Sequence, residues 1–592
     1  MHPKALIDDL LRQSKESEYQ SGGVTLDLFS DFNGIPKGVD KTEFYAHDQN
    51  WSNRMILGDS LQVMASLAER EGLRGKVQCI YFDPPYGIKF NSNFQWSTRS
   101  RDVKDGKADH ITREPEQVKA FRDTWRDGIH SYLTYLRDRL TVARDLLTES
   151  GSIFVQISDE NLHHVRELLD EVFGADNFVS QITFSKTAAQ ASVLLPGVCD
   201  YILWFARSKG AVKYRQPYKD KLEMATARDA YSWLLFPDGL SRKATDAEID
   251  APPSGAKLFR FSPLVSQNPG SRYDVSVFGK VFRPEPGYWK TDQARMRILA
   301  RANRVHPTGR SLFMRLFLDD FPCVTYTNIW TDTQASFGSK TYIVQTNEKV
   351  IQRCLLMATD PGDLVLDPTC GSGTTAFVAE QWGRRWITID TSRVALALAR
   401  ARIMGARYPF YLLADSRDGQ IKEAEVARTA PSSQPVHGNI RHGFVYERVP
   451  HITLKSIANN TEIDVIWDQW QAKLEPLREK LNTALKKAWQ EWEIPREVDA
   501  KWPVAAKKLH ADWWQARIAR QREIDKSVAA KAEFEFLYDK PYDDKKKVRV
   551  AGPFTVESLS PHRVLGVDEN DELIDTLQQE RGEYHVKQSF HR

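Results

Sequence analysis

Apolar positions along this chain switch between a strand period and a helix period, and the switching predicts its elements. Arg54-Met55-Ile56-Leu57 is a short apolar run ending in Gly58-Asp59-Ser60. It reads as a strand, with Asp59 or Ser60 capping a helix whose Leu61, Met64, Leu67 and Ala68 share one face. Val77-Gln78-Cys79-Ile80-Tyr81-Phe82 has the length and the β-branched, aromatic character of a buried strand. After a polar stretch at 91–120, Leu133, Leu136, Leu140, Ala143 and Leu147 mark a helix closed by Gly151. Ser152 to Ile157 is the next strand. Ser158 or Asp159 then caps a helix carrying Leu162, Val165, Leu168, Leu169 and Val172, closed by Gly174, and strands follow at 179–184 and 201–206. Such strand-helix units build a parallel sheet, whose ligands gather outside the strands' carboxyl ends.

The rhythm stops between about 207 and 330, where Pro, Gly, Ser, Arg and aromatics mix, as in Arg272-Tyr273 and Tyr288-Trp289-Lys290. It resumes with a helix over Asn347 to Met357, a turn at Pro361-Gly362-Asp363, the strand Leu364-Val365-Leu366 and the strand Trp386 to Ile389. Beyond about 416, Ile466, Trp470, Leu474, Leu477, Leu481, Leu485, Ala488 and Trp492 keep helical spacing, which predicts a helical hairpin kinked or restarted at Pro476. Pro553-Phe554-Thr555-Val556 reads as the opening of a further structured unit, before whose end the chain is expected to stop. The expected organisation is an N-terminal helix (Leu6, Leu10, Leu11) and connector over 1–50, an α/β domain in two parts at 51–206 and 336–415, an intervening domain at 207–335, and a mainly helical, basic region at 416–592.

Length supports this division, since 592 residues exceed one core and about three to four domains is the prior. The net charge of +3 confines any nucleic-acid surface to a local patch. Lys507-Lys508, Arg517, Arg520, Arg522 and the run Lys545-Lys546-Lys547-Val548-Arg549 read first as solvated charge. Five scattered cysteines never form a CxxC pair, which argues against a disulfide framework or a zinc site and fits a reducing cytoplasm. His163 and His164 lie on an amphipathic helix without further ligands in sequence, so no metal site is expected. No apolar stretch reaches the ~20 residues that span a bilayer, and no membrane association is expected.

Two stretches carry candidate chemistry. Asp83-Pro84-Pro85-Tyr86 follows the strand 77–82 directly. The prolines stiffen the exit loop and remove two donors while leaving carbonyls to accept hydrogen bonds. A carboxylate and a tyrosine flank them, giving acceptors for an amino group and an aromatic face for the ring bearing it: a pocket for a planar nucleobase. Asp-Pro and Pro-Pro also punctuate ordinary loops, so context decides. The second stretch, Asp367-Pro368-Thr369-Cys370-Gly371-Ser372-Gly373-Thr374, joins a strand to an apolar helix, where glycines let a ligand approach the backbone. Asp390 ends the next strand 17 positions after Gly373, close to the ~20-residue offset at which an acid meets ribose hydroxyls. The loop is not a phosphate-binding GxxxxGK[ST], and it lacks the third glycine of a dinucleotide loop.

These motifs, their order and the gap between them resemble the permuted DNA amino-methyltransferases, especially the modification subunits of type III restriction systems and related site-specific adenine methyltransferases. The likeness covers about 50–206 and 336–392, with a weaker match around Gly443 to Asn460. The resemblance implies a Rossmann-like domain with circularly permuted motifs, an inserted target-recognition domain at 207–335, and double-stranded DNA as substrate. It implies S-adenosylmethionine at Asp367 to Thr374, its ribose at Asp390 and its adenine near Asp59, with Asp415 as a rival for that last contact. A separate restriction or helicase subunit and a homodimer are the partners it brings into view. Thr369 stands where the family has Phe, and Thr346-Asn347 where relatives carry Lys-Pro.

By the same resemblance, Asp83 and the Pro84 carbonyl would accept the two hydrogens of an exocyclic amine and favour a pyramidal nitrogen that attacks the sulfonium methyl, with no metal and no covalent intermediate. The base must first flip out of the duplex and stack on Tyr86. A cytosine-C5 enzyme needs a cysteine nucleophile, and the single Pro-Cys pair, Pro322-Cys323, lies far from either motif. The expected activity is adenine-N6 methylation. Cytosine-N4 methylation and a catalytically idle DNA-recognition subunit are the alternatives.

Overall fold

The computed structural model describes residues 41–48, 51–86, 128–187, 194–334 and 346–559, with the backbone of 566–567 and 573–574. The helix expected in 1–16, the connector of 21–40 and the polar segment 91–120 lie outside the described residues. The chain divides into two compact units, one of 1–217, 327–446 and 538–592, the other of 218–326 and 447–537.

The first unit is built on β1 (Asn53–Leu57), β2 (Val77–Phe82), β3 (Leu147–Ile157), β4 (Phe178–Ser185), β5 (Cys199–Ala206), β6 (Ile329–Trp330), β7 (Leu364–Asp367), β8 (Arg385–Asp390) and β9 (Phe554–Ser558). They lie side by side in the order β6-β4-β5-β3-β2-β7-β8-β1-β9. β5 runs antiparallel to β3 and β4, and every other pairing in this sheet is parallel. Its helices are α1 (Ser60–Glu69), α2 (Ile129–Leu146), α3 (Leu162–Phe173), α4 (Glu348–Ala358), α5 (Thr374–Gln381) and α6 (Arg393–Gly405). The apolar faces of α1, α2 and α3, including Met64, Leu136 and Leu169, pack on Ile80, Phe82, Ile153, Val155, Leu366 and Ile389 in one core. That core explains the continuous apolar runs of the strands. α4 packs against β2 and β3 with buried residues outside that core, among them Val350, Cys354 and Leu355.

Register fixes the site. Leu57 pairs with Asp390, Asp367 with Thr388, and Ile80 with Leu366, so the carboxyl ends of β1, β2, β7 and β8 share one rim.

Several expectations are corrected. α2 stops at Leu146, because Leu147 is already extended (φ −67°, ψ 138°) and pairs with Val77; Gly151 lies inside β3. Neither Ser158 nor Asp159 caps α3: Asn161 precedes it, and its side chain is engaged elsewhere. The helix Glu462–Leu485 does not restart at Pro476 but continues through it. Phe554–Ser558 does not open another unit but adds β9 beside β1, covering an edge that would otherwise present unpaired backbone.

Lys41–Glu43, Asp543–Arg549 and Tyr408–Tyr411 form a small separate sheet. Arg549 is fully buried with its Nη1 3.2 Å from Glu380 Oε1, so it is not part of a solvated basic run. Glu380 also accepts from Asn53 Nδ2 (3.1 Å), Trp386 Nε1 (2.9 Å) and Gly552 N (3.1 Å).

The second unit carries a five-stranded antiparallel sheet that includes Lys257–Pro263 and Ser311–Phe317. The long helices Glu462–Leu485 and Val504–Ala530 pack together. Leu264, Trp289, Met296 and Leu299 share a core with Ile463, Ile466 and Ile524. The stretch 416–592, read from sequence as one helical region, is thus distributed over both units.

Candidate functional site

Asp83 begins the exit from β2, and Pro84 and Pro85 lack backbone N–H groups, so Asp83 N is the last donor before Tyr86. It donates to Thr369 Oγ1 at 3.1 Å. One carboxylate oxygen of Asp83, Oδ2, accepts from the Thr346 hydroxyl at 3.3 Å. That hydroxyl in turn accepts from Gln156 Nε2 at 3.0 Å. Gln156, at the carboxyl end of β3 and only 3% exposed, also donates to Tyr86 Oη (2.6 Å) and accepts from Tyr81 Oη (2.5 Å). Tyr86 Oη lies 3.4 Å from Asp200 Oδ2, whose other oxygen pairs with Lys186 Nζ at 2.8 Å. Asn161 Nδ2 holds the Tyr86 carbonyl at 2.7 Å. Tyr86 and the carboxylate of this loop are therefore anchored from β3, the residue preceding α3, β5 and the segment before α4.

Burial, reinforced by the negative charges of Asp367 and Asp200, pushes the Asp83 carboxyl up to about 8. Burial likewise raises Asp200 against the pull of Lys186.

The glycine loop stands on the same rim. Gly371 and Gly373 have φ of 51° and 72°, and a Cβ on Gly373 would come within 2.6 Å of Ala399 Cβ, so the close packing of α5 on α6 requires glycine there. Asp367 Oδ1 accepts from Thr369 N at 2.9 Å, and Cys370 N donates to Ile389 O at 2.8 Å. Ser372 Oγ and Thr374 Oγ1 are 3.0 Å apart, with Arg402 Nη1 2.9 Å from Thr374 Oγ1. Asp390 closes the loop: its Oδ2 accepts from Gly371 N and its Oδ1 from Ser392 N, both at 2.8 Å. Burial raises Asp367 and Asp390 to about 6 each. Pro368 lies between Asp367 and Thr369 in this turn. The Cys370 thiol is buried and pushed up by that burial, which makes it inert rather than nucleophilic.

Asp59 reaches the rim through Gly58, whose N–H donates to Asp390 O at 2.9 Å. Its Oδ1 caps α1 by accepting from Leu61 N at 2.8 Å, and its Oδ2 pairs with Arg139 Nη2 at 2.6 Å. The Arg139 guanidinium lies 3.5 Å over the Tyr135 ring. Asp415 instead secures a turn, accepting from Asn439 N (2.9 Å) and His437 N (3.2 Å). The His163 and His164 rings lie 3.9 Å apart, tilted by 41°, and no cluster of three or more His, Cys, Asp or Glu among the described residues is arranged for a metal. No helix among the described residues is long and apolar enough to cross a membrane.

Sequence reading did not find Gln156 or Asp200. Both are polar residues near the rim ends of otherwise apolar strands, a signal that an amide in Phe154-Val155-Gln156-Ile157 does carry.

A family model described as DNA methylase, covering N6 and N4 methyltransferases, matches residues 77–401, more than half of the chain. The type II methyltransferase M.EcaI of Enterobacter cloacae is 26% identical over 419 residues, 69% of this chain and 78% of that protein. The probable type III restriction-modification enzyme HindVI Mod subunit of Haemophilus influenzae is 23% identical over 410 residues, 59% of this chain. The chain spans about half the length of that subunit (50%) and of the EcoPI Mod subunit of Escherichia phage P1 (55%). Among solved structures, a DNA modification methylase of Thermus thermophilus complexed with S-adenosyl-L-methionine aligns over 59% of this chain and 94% of its own, with 15% identity and a TM-score of 0.27.

Proposed function

We propose, on the premise that the chain belongs to the N6/N4 DNA methylase family, that it transfers a methyl group from S-adenosylmethionine to N6 of an adenine flipped out of double-stranded DNA. The observation that carries this reading is the 3.1 Å hydrogen bond from Asp83 N to Thr369 Oγ1, which joins an amine-accepting carboxylate to a glycine loop of the kind that receives a cofactor. The donor set fits that cofactor: Asp367 and Asp390 offer carboxylates for an ammonium and for sugar hydroxyls, and the glycines keep the loop backbone open. When bound, S-adenosylmethionine supplies an electrophilic methyl group on a sulfonium. Asp59 holds Leu61 N and Arg139 through its two oxygens, as Asp390 holds Gly371 N and Ser392 N, and the remaining lone pairs of both carboxylates stay open to a ligand, an adenine amine in the case of Asp59.

On this reading Asp83 and the Pro84 carbonyl accept the two amine hydrogens, localising the nitrogen lone pair. Pro85 stiffens the turn, and Tyr86, its hydroxyl tied to Gln156, offers its ring to the flipped base. Positioning and fixed charge do the work. The acidic first residue of Asp83 to Tyr86 supports adenine; cytosine N4 is the alternative, and sequencing of DNA from an expressing host for both modified bases separates them. The motif order, with the Asp83 loop before the glycine loop in sequence though β2 and β7 are neighbours, supports the permuted reading. We assign target recognition to the second unit, and the Mod relatives support a separate restriction subunit as partner.

The test is transfer of labelled methyl groups beside a gel-shift titration. Asp83→Ala is expected to abolish transfer while leaving DNA binding intact. Wild-type protein that binds DNA specifically yet transfers nothing, with or without partner subunits, overturns the enzyme.

A further inference from the structure

Two threonine hydroxyls close on Asp83 from opposite parts of the chain. Thr369, in the glycine loop, accepts the Asp83 backbone N–H at 3.1 Å. Thr346, just before α4, donates to Asp83 Oδ2 at 3.3 Å. Each hydroxyl is itself held. Thr369 N donates to Asp367 Oδ1 at 2.9 Å and its Oγ1 lies 3.4 Å from the same atom, while Thr346 Oγ1 accepts from Gln156 Nε2 at 3.0 Å. A carboxylate at the start of a loop has freedom at its backbone and at two side-chain torsions. Here Thr369 engages the backbone end, and Thr346, whose single hydroxyl hydrogen is shared between Asp83 Oδ2 (3.3 Å) and Gln156 Oε1 (3.2 Å), engages one oxygen of the carboxylate.

We propose that Thr369 and Thr346 are positioning residues for the methyl-transfer step, setting the backbone and the carboxylate of Asp83 respectively. The proposal rests on the function proposed above. Catalysis by orientation loses heavily from small displacements, because an acceptor that wanders leaves the amine hydrogens unmatched when the nitrogen pyramidalises. Neither threonine touches the amine; each acts through Asp83. Because Thr369 belongs to the glycine loop, it also makes that loop and the Asp83 turn one connected piece.

The experiment compares Thr369→Val and Thr346→Val, which keep shape and remove the hydroxyl, with Thr369→Ser and Thr346→Ser, which keep the hydroxyl. Steady-state transfer into plasmid DNA gives kcat and the KM for S-adenosylmethionine, calorimetry gives cofactor affinity, and thermal melting checks the fold. Each valine variant is expected to lose about ten-fold in kcat, the scale of one hydrogen bond. Cofactor affinity should stay within about two-fold in Thr346→Val, and each serine variant should recover most of the rate. An unchanged kcat in the valine variants overturns the proposal. So does a serine variant as slow as its valine counterpart, or, for Thr346, a cofactor affinity that falls in step with kcat. Wild-type protein inactive in the same assay would overturn the enzyme itself, a different result from active valine variants.

Discussion

Asp83 is a carboxyl whose folded environment opposes its charge, and two outcomes follow from the sign of that shift. Its ordinary value is 3.8 and the fold raises it to about 8, so the ionised form, the one proposed to accept amine hydrogens, becomes populated only as pH climbs. kcat/KM, which reports the free enzyme, is expected to rise with an apparent midpoint near 8. For stability the same shift runs the other way: the contribution is fully present below the unfolded value and is lost as pH rises through the folded one. Asp83→Asn should therefore melt like the wild type near pH 4 and melt higher than it above pH 8, at the cost of activity; equal melting curves at both pH values would count against the raised carboxyl. At the other end of the rim, Asp390→Ala should weaken S-adenosylmethionine by roughly 1–3 kcal/mol in calorimetry, since one carboxylate holds both Gly371 N and Ser392 N. Asp83 was legible in sequence because it follows a strand and precedes two prolines that stiffen the exit, and Asp390 because it ends a strand 17 positions after Gly373. Gln156 and Asp200 were not, because what gives them a part is the register that sets β3 beside β2 and β5 beside β3, which no local pattern states.

At the scale of elements, the strands of the first unit were readable to within a residue or two wherever both faces are buried, as in Val77–Phe82 and Leu364–Asp367. Reading failed where tertiary pairing outweighs local preference. Leu147 continues a helical stripe in sequence yet enters β3, and Phe554–Ser558 has no chain neighbour to announce its place in the sheet. That strand and the buried Arg549 bind the end of the described chain to its beginning: Arg54 meets Glu557, and Glu380 joins Arg549, Asn53 and Trp386. Removing residues 538–592 should leave the first unit insoluble or unfolded, not merely inactive. Glu380→Ala should cost about 3–5 kcal/mol in denaturant unfolding, because it leaves the buried Arg549 guanidinium without a counter-charge. A truncated protein with native circular dichroism and cofactor affinity would refute this account.

At the scale of the molecule, each unit is assembled from separated segments. The second unit joins 218–326 to 447–537 through a core that mixes Trp289 and Met296 with Ile463, Ile466 and Ile524. Exchanging only 207–330 for the corresponding part of a relative is expected to give a poorly folded hybrid. Exchanging both segments together should move methylation to a new DNA sequence, read by sequencing modified host DNA. A clean change of target from the first segment alone would show that 447–537 contributes no fit. The first unit has the same property in time. β1 is finished by residue 57, but the strand that covers its open side begins at Phe554, some 500 residues later. At roughly 5–20 residues per second of synthesis, that edge waits on the order of 25–100 s beside the ribosome with its backbone groups unpaired. Growth temperature, chaperone supply and translation speed should thus affect the yield of soluble protein.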